Sequence, residues 1–251
     1  KFPEGSRHRT VVHYRGNCAL SSFAVFPFLG TRWLVVTKVD KDEITTDHYA
    51  RHARYYADLL VRRLRGPHAA RTAPTAGLAG KPVVRVDMDE FLKAGPERVL
   101  ATWGVSTCTA LLAAYPGRFA YLAHVTPKDE LYGGEETNLF GQMAKKIANF
   151  DIYPSEKLQV LFVVAAPHLE SLPRILDAIV AQGFLLSQVR LLHDPRARSA
   201  ALAYDCGKDE LRVAWRPPDP EGKETSCLTD AIEVGQIVER LMEEEEGEGG
   251  G

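Results

Sequence analysis

The sequence lacks a long apolar run, has few cysteines and carries almost no net charge. None of its apolar segments approaches the roughly 18 consecutive residues that indicate a membrane-spanning helix. Its formal net charge is −2 at pH 7, without the basic excess that is typical of nucleic-acid-binding domains. We therefore expect no transmembrane segment within these 251 residues and no nucleic-acid partner.

The pattern of cysteines argues against the commonest cysteine-based sites. The four cysteines are Cys18, Cys108, Cys206 and Cys227, and no two of them form a C-x-x-C pair. This spacing gives no support to a zinc ribbon or a thioredoxin-like redox motif. A chain of this length can bury a sufficient core without disulfides, so we expect most of the thiols to be reduced.

The first part of the chain predicts a small β-meander followed by one helix, over residues 1–65. Apolar and β-branched segments separated by turn residues predict three strands between residues 10 and 40. Thr45-Thr46-Asp47 then predicts the start of a helix that extends to about residue 65. His48 and His52 have metal-ligand spacing on this helix, but without an HExxH motif we interpret them as part of a solvated face.

Composition changes twice along the rest of the chain. Residues 66–82 are rich in Ala, Gly, Pro and Thr and predict a linker at a domain boundary. Residues 83–216 mix predicted strands and helices, among them a buried strand at 158–165 and an amphipathic helix at 169–182. This mixture indicates an α+β domain of layered sheet and helices. The acidic cluster at 87–90 is interpreted as solvated rather than metal-binding. Residues 217–251 predict a tether, an amphipathic helix at 229–243 and an acidic, Gly-rich tail.

The central feature is a predicted β-hairpin between residues 102 and 127. Two apolar runs flank Tyr115-Pro116-Gly117-Arg118, with Cys108 at the start of the first run and His124 at the end of the second. A three-residue loop beginning at Tyr115 would place Cys108 opposite His124. A two-residue loop would place it opposite Val125 instead. Both alternatives bring a thiol close to an imidazole.

A thiol beside an imidazole is a nucleophile with its own base. The imidazole accepts the thiol proton and stabilises the thiolate, as in enzymes that act through an acyl-enzyme. Ser106, Thr107 and the backbone N–H groups around Cys108 are candidate donors to an oxyanion. The pattern predicts acyl transfer or amide hydrolysis, and the alternative is a packed core thiol near a hydrogen-bonded histidine.

This stretch resembles the CheD family of chemoreceptor glutamine deamidases. That family reads Thr-x-Gly-x-Gly-Ser-Cys, then a strand, a turn and an Ala-His pair. Thr102, Gly104 and Cys108 occupy the matching positions here, and Leu122-Ala123-His124 matches the histidine end. The resemblance implies that Cys108, His124 and Thr102 form the catalytic triad, with Thr102 orienting the imidazole. It extends over residues 83–215 through the order of the predicted strands and helices.

Two departures from the CheD pattern favour an alternative function. Ser106-Thr107 replaces Gly-Ser before the cysteine, and Ala165-Ala166-Pro167-His168 stands where the family has a glycine pair. These differences are compatible with a catalytically inactive CheD-like binding module that serves in signalling. His168 and His193 end predicted strands and are further candidates to approach the site.

Residues 10–47 are similar to the last strands of Cache sensor domains, which end in a strand with a Trp followed by acidic residues entering a helix. Because the chain begins with Lys1, we expect a segment upstream of it. CheD relatives work in the cytoplasm and Cache domains mostly outside it. The longer resemblance favours the cytoplasm, and a true Cache remnant would place the chain outside.

Together these patterns predict a cysteine-dependent amidohydrolase acting on a side-chain carboxamide. The resemblance implies that the substrate is a glutamine of another protein, such as a chemoreceptor, and that neither a metal nor an organic cofactor takes part. Deamidation, methyl-ester hydrolysis and transglutamination share the same acyl-enzyme and stay open. The alternative is an inactive signalling module fused to a sensor fragment.

Overall fold

The computed structural model describes residues 5–12, 18–28, 31–64, 80–127, 138–216, 225–227 and 232–248. This described part leaves out most of the predicted linker at 66–82, residues 128–137, the predicted tether at 217–224 and the last residues of the predicted tail. Within the described part, no helix is both long and apolar enough to cross a bilayer.

The described residues form fourteen strands and five α-helices. The strands are β1 (Gly5–Val12), β2 (Cys18–Phe28), β3 (Thr31–Asp40), β4 (Val83–Arg85), β5 (Glu90–Ala94), β6 (Val99–Val105), β7 (Thr109–Tyr115), β8 (Phe119–Val125), β9 (Leu161–Ala165), β10 (Val189–Leu192), β11 (Ser199–Asp205), β12 (Glu210–Arg216), β13 (Thr225–Cys227) and β14 (Ile232–Glu233). The helices are α1 (Lys41–Arg51), α2 (Ala53–Leu64), α3 (Leu139–Lys146), α4 (Leu172–Ala181) and α5 (Val234–Glu248).

Two sheets and a helical layer are stacked, so the predicted α+β class is confirmed. The central sheet has the strand order β14-β10-β9-β7-β8-β5, and the second sheet has the order β13-β12-β11-β6-β4. One face of β7 and β8, including Leu111 and Tyr121, packs with apolar residues of the helices. The other face, including Leu112 and Leu122, packs with apolar residues of the second sheet. Both strands are therefore apolar on both faces, as buried strands are.

The predicted N-terminal meander is confirmed as a three-stranded antiparallel sheet, β1-β2-β3. The single predicted helix after it is instead two helices, because the chain leaves the helical conformation at His52. The first helix also begins earlier, after Asp40, where Asp42 and Glu43 in the first turn favour the helix dipole.

The two helices after the meander pack on the central sheet. Tyr49, Tyr56 and Leu60 are fully buried in the same cluster as Leu111 and Tyr121. The division of the chain into domains at residues 66–82 stays a prediction.

Several predicted elements have different ends in the structure. The predicted strand at 158–165 is a 3-10 helix (Pro154–Gln159) followed by β9, and the helix predicted at 169–182 is shorter because Pro173 fits only its first turn. The C-terminal helix predicted at 229–243 begins later, at Val234. Strand β5 was not predicted, and it pairs antiparallel with β8 beside the candidate site.

Candidate active site

The hairpin of β7 and β8 has a register that neither predicted loop gives. Tyr115 pairs with Phe119, so the three-residue loop consists of residues 116–118 rather than 115–117. The N–H of Arg118 donates to the carbonyl of Tyr115 at 3.0 Å, and Gly117 supplies the left-handed conformation (φ 72°) that closes the turn. Continued by one residue, this register would place Cys108 opposite Thr126. The predicted partners, His124 and Val125, are therefore wrong by two residues and one residue.

The observed register still places Cys108 and His124 on the same face. His124 pairs with Ala110, and Cys108 lies two residues before Ala110 along the chain. Cys108 packs with Ala110 and Leu112 in the core between the two sheets, so its side chain shares their face. Cys108 itself lies in the bend before the paired residues of β7, so it shares this face with His124 without being paired to it.

Strand β6 of the second sheet brings Thr102 against the imidazole. The hydroxyl Oγ1 of Thr102 lies 2.7 Å from Nδ1 of His124 and 2.9 Å from the backbone carbonyl oxygen of Val86. All of the Thr102 side chain is buried. The structure therefore brings together two of the three residues that the CheD resemblance assigns to catalysis.

These two hydrogen bonds fix the tautomer of His124. A threonine hydroxyl has one proton, and the carbonyl of Val86 can only accept. Thr102 therefore donates to Val86, and its oxygen accepts the proton carried by Nδ1 of His124. The neutral imidazole is then unprotonated at Nε2, which leaves a lone pair there.

This Nε2 atom is buried and makes no hydrogen bond to any described residue. A buried polar atom without a partner is uncommon and calls for an explanation. Burial lowers the pKa of His124, while the charges of Asp89 and Asp87 act in the opposite direction. The imidazole is therefore held neutral, and the lone pair of its Nε2 atom is buried and unpaired.

Cys108 stands just before β7, and only 6% of it is exposed. It makes no hydrogen bond to Nε2 of His124, since that atom has no partner among the described residues. Of the predicted oxyanion donors beside it, Ser106 is half-buried and Thr107 is exposed, in a bend between β6 and β7. Gly104 has a left-handed conformation (φ 73°) that leads β6 into this bend. Thr107 is thus the exposed residue next to Cys108 in this bend.

The acidic cluster at 87–90 is a turn attached to the strand of His124. The N–H of Asp89 donates to the carbonyl of His124 at 2.8 Å, and the hydroxyl of Thr126 donates to the Asp89 carboxylate at 2.7 Å. Asp89 has the left-handed conformation (φ 59°), which is uncommon outside glycine. Asp87 and Asp89 are exposed, as a solvated cluster requires. Their link to His124 was missed because β5, which brings them there, was not predicted.

A second link holds the backbone beside Cys108. The hydroxyls of Thr109 and Ser171 are 2.6 Å apart, and both residues are buried. Thr109 follows Cys108 directly, and Ser171 is the residue before α4. The hydrogen bond therefore joins the start of β7 to the start of a helix on the opposite face of the central sheet. Nothing in the spacing of the sequence indicates this pair.

The two further candidate histidines, His168 and His193, take no part in the Thr102–His124 contact. His168 is exposed, and His193 hydrogen-bonds the carbonyl of Ala166 through Nδ1 at 2.8 Å. On the first helix His48 is half-buried and hydrogen-bonded to Tyr56, so the expectation that it is solvated is wrong. Within the described part of the chain, no three His, Cys, Asp or Glu side chains are grouped as a metal site would require.

No known protein family's sequence profile matches the chain, and no curated protein sequence matches it. The solved structures that are similar to it include the following two. The first is the hypothetical protein YfiH of Bacillus licheniformis, with 11% identity, a TM-score of 0.31, and coverage of 74% of this chain and 85% of that one. The second is YlmD of Geobacillus stearothermophilus, with 12% identity, a TM-score of 0.32, and coverage of 74% and 88%. Neither similarity confirms the resemblance to CheD or to Cache domains.

Proposed function

We propose that this chain is a cysteine-dependent amidohydrolase similar to the CheD protein-glutamine deamidases. The observation that carries the proposal is the hydrogen bond from Nδ1 of His124 to Thr102, which leaves an unpaired lone pair on Nε2. This lone pair belongs to a neutral imidazole on the face that also carries Cys108. A general base needs this protonation state before it can accept a thiol proton.

The first half of the reaction forms a thioester. Nε2 of His124 takes the proton of Cys108, and the thiolate sulfur attacks the carbon of a side-chain carboxamide. The carbonyl oxygen becomes an oxyanion, which the backbone N–H groups of residues 106–108 stabilise. The imidazolium then returns the proton to the nitrogen as the C–N bond breaks, and ammonia leaves.

The second half regenerates the enzyme. Water loses a proton to Nε2 of His124 and attacks the thioester carbon. The C–S bond breaks, the carboxylic acid leaves, and the imidazolium returns its proton to the sulfur of Cys108. The net change is carboxamide plus water to carboxylate plus ammonium, since the released acid gives its proton to ammonia in solution. Throughout, Thr102 keeps Nδ1 protonated, the role of the third member of a catalytic triad.

The proposed chemistry requires a small movement at the bend before β7. The sulfur of Cys108 must come within hydrogen-bond distance of Nε2, and catalytic hydrogen bonds are often long in unliganded enzymes. Rotation of the thiol, or a shift of residues 106–108, brings the two atoms together. Because Thr107 is exposed there, a substrate that binds against the bend can drive this shift.

The substrate class follows from the resemblance alone. A CheD-like enzyme acts on glutamine side chains of signalling proteins such as chemoreceptors, and it works in the cytoplasm. The motif of Thr102, Gly104, Cys108 and His124 supports this assignment. The sequence departs from the CheD pattern in two places. Residues 106–107 lie beside the nucleophile, and residues 165–168 begin at the end of β9.

A catalytically inactive binding module is the second candidate. The burial of Cys108 and the missing hydrogen bond between its thiol and His124 favour this candidate. A module of this kind would use the CheD-like surface to bind a signalling protein without changing it.

Mass spectrometry of a protein substrate distinguishes the two functions. The full chain is incubated with a glutamine-rich chemoreceptor fragment, and conversion of glutamine to glutamate is measured together with ammonia release. We expect both signals with the native chain and neither with Cys108→Ala or His124→Ala. Binding of the fragment without conversion, at equal affinity for all three chains, would establish the inactive module.

A further inference from the structure

Strand β3 leaves an unusual number of large apolar side chains in solvent. Trp33 is 52% exposed, and the four residues Leu34, Val35, Val36 and Val39 are 43–48% exposed. Successive side chains of a strand point to opposite faces, so apolar side chains are uncovered on both faces of this sheet. Several large exposed apolar side chains clustered on one strand indicate an interaction site.

The two edges of the small sheet differ in charge. Its strand order is β1-β2-β3, so β1 and β3 are the edges. The sequence of β1 contains Arg7, His8 and Arg9, and charged residues protect an edge from pairing with another chain. Strand β3 carries its charged residues, Arg32, Lys38 and Asp40, toward its two ends and has none in its centre from Trp33 to Thr37. Its edge is therefore the one suited to accept a further strand.

We propose that β3 pairs antiparallel with β3 of a second copy of this chain, which joins two small sheets into one sheet across a two-fold axis. Two-fold dimers are the commonest closed assemblies, and they use the same surface on both subunits. The pairing supplies main-chain hydrogen bonds to both edges. It also brings the exposed apolar side chains of the two strands next to each other.

Antiparallel geometry restricts the possible registers. In an edge strand, alternate residues direct both N–H and C=O outward. Two identical strands can exchange these bonds only when residues of the same parity face each other. A residue must then lie opposite its own copy at the two-fold axis, and the best-centred choices are Val35 and Val36.

Charge selects between these two registers. With Val35 on the axis, Arg32 would face Lys38 of the partner subunit, and like charges opposite each other are destabilising. With Val36 on the axis, Arg32 faces the partner's Asp40, and this favourable pair occurs twice. Trp33 then faces the partner's Val39, an aromatic–β-branched pair of the kind that stabilises sheets. The side chain of Asp40 does not cap α1, so capping does not occupy its carboxylate.

A charge-exchange experiment tests this register. The full chain is studied by sedimentation velocity, alone and as the variants Arg32→Asp and Asp40→Arg. The native chain is expected to be a dimer. Each variant alone is expected to be monomeric, because its homodimer would oppose two like charges at both ends. An equimolar mixture of the variants restores both pairs and is expected to dimerise, as is the double variant Arg32→Asp/Asp40→Arg.

Matched controls separate the register from general damage. Arg9→Asp, on the opposite edge, is expected to leave the dimer unchanged. A monomeric native chain would overturn the proposal. So would single charge variants that dimerise on their own, or an equimolar mixture of the two folded variants that stays monomeric. If the charge variants do not fold, oxidation of Val36→Cys decides. This variant should crosslink to its own copy across the axis, and Val39→Cys should not. Equal crosslinking of both would overturn the register.

Discussion

Thr102 and His124 form a buried hydrogen bond of 2.7 Å between two sheets, and this bond determines which nitrogen of the imidazole carries the proton. The carbonyl of Val86 takes the only hydroxyl proton, at 2.9 Å. The Nε2 atom therefore keeps a lone pair, and this atom has no hydrogen-bond partner in the described part of the chain. The proposed base is thus prepared by backbone geometry before any substrate binds.

Replacing Thr102 with Val removes the acceptor for Nδ1 while keeping the shape of the side chain. A buried N–H without a partner costs about 1–3 kcal/mol, so the free energy of unfolding should fall by roughly this amount. The reactivity of Cys108 should fall as well, because the imidazole can adopt the other tautomer. Urea unfolding and thiol-labelling rates measure the two effects. Thr102→Ser keeps the hydroxyl and should retain both properties, and equal losses in the two variants would contradict the tautomer argument.

His124 makes the stability of the protein depend on pH. Burial lowers its pKa below the value of about 6.5 expected in the unfolded chain, so the unfolded state binds more protons between the two values. The stabilising contribution is complete above about pH 6.5 and is lost as the pH falls toward the lower, folded value. Urea unfolding at about pH 7 and about pH 5.5 should therefore differ more for the native chain than for His124→Asn. The same difference in both chains would contradict this assignment.

Asp89→Asn tests the electrostatic link to His124. The amide oxygen can still accept the hydrogen bonds from Thr126, but the negative charge is lost. Since the charge of Asp89 raises the pKa of His124, this pKa should fall further when that charge is removed. Titration of the imidazole by NMR measures the shift.

Asp209→Asn is the matched control for that titration. Asp209 is the other described aspartate with a left-handed conformation (φ 52°), and it accepts a hydrogen bond from Tyr204. It lies in the turn between β11 and β12 and is not among the charges that act on His124. Its replacement should leave the imidazole titration unchanged. A shift of equal size in both variants would show that the effect is not specific to Asp89.

The pair of Thr109 and Ser171 should be coupled in stability. Thr109→Val or Ser171→Ala alone leaves a buried hydroxyl without its partner, which costs about 1–3 kcal/mol of unfolding free energy. The double variant leaves no orphaned hydroxyl and should lose less than the sum of the single losses. A double-mutant cycle in urea measures the coupling. Strictly additive losses would mean that the 2.6 Å contact does not contribute to folding.

The fold class and most elements follow from the sequence because apolar runs and turn residues are local signals. The hairpin register does not follow from it. Both faces of β7 and β8 are buried, so no alternation of polar and apolar residues indicates how the strands align. The three-residue loop lies one residue later in the chain than predicted, so the residue opposite Cys108 also differs from the prediction. Strand β5 was missed because it is short and contains Glu90 and Lys93 among its apolar residues.

The candidate site, too, could be predicted from the sequence only in part. Cys108 and His124 stand at the ends of one predicted hairpin, so their shared location could be expected from the sequence. Thr102 reaches His124 across the space between two sheets, and only the CheD resemblance gave a reason to connect them. The carbonyl of Val86, which fixes the tautomer, has no signal in the sequence at all.

The reactivity of Cys108 tests the proposed base most directly. Iodoacetamide labelling is followed from about pH 5 to about pH 9 in the native chain and in His124→Ala, with modified residues identified by mass spectrometry. Cys206 is an internal control, because it is also buried and its environment raises its pKa.

The proposed function predicts fast labelling of Cys108 with an apparent pKa well below the usual value of about 8.5, and a return toward that value in His124→Ala. Slow labelling of Cys108, at the rate of Cys206 and unchanged in His124→Ala, would contradict the activated pair.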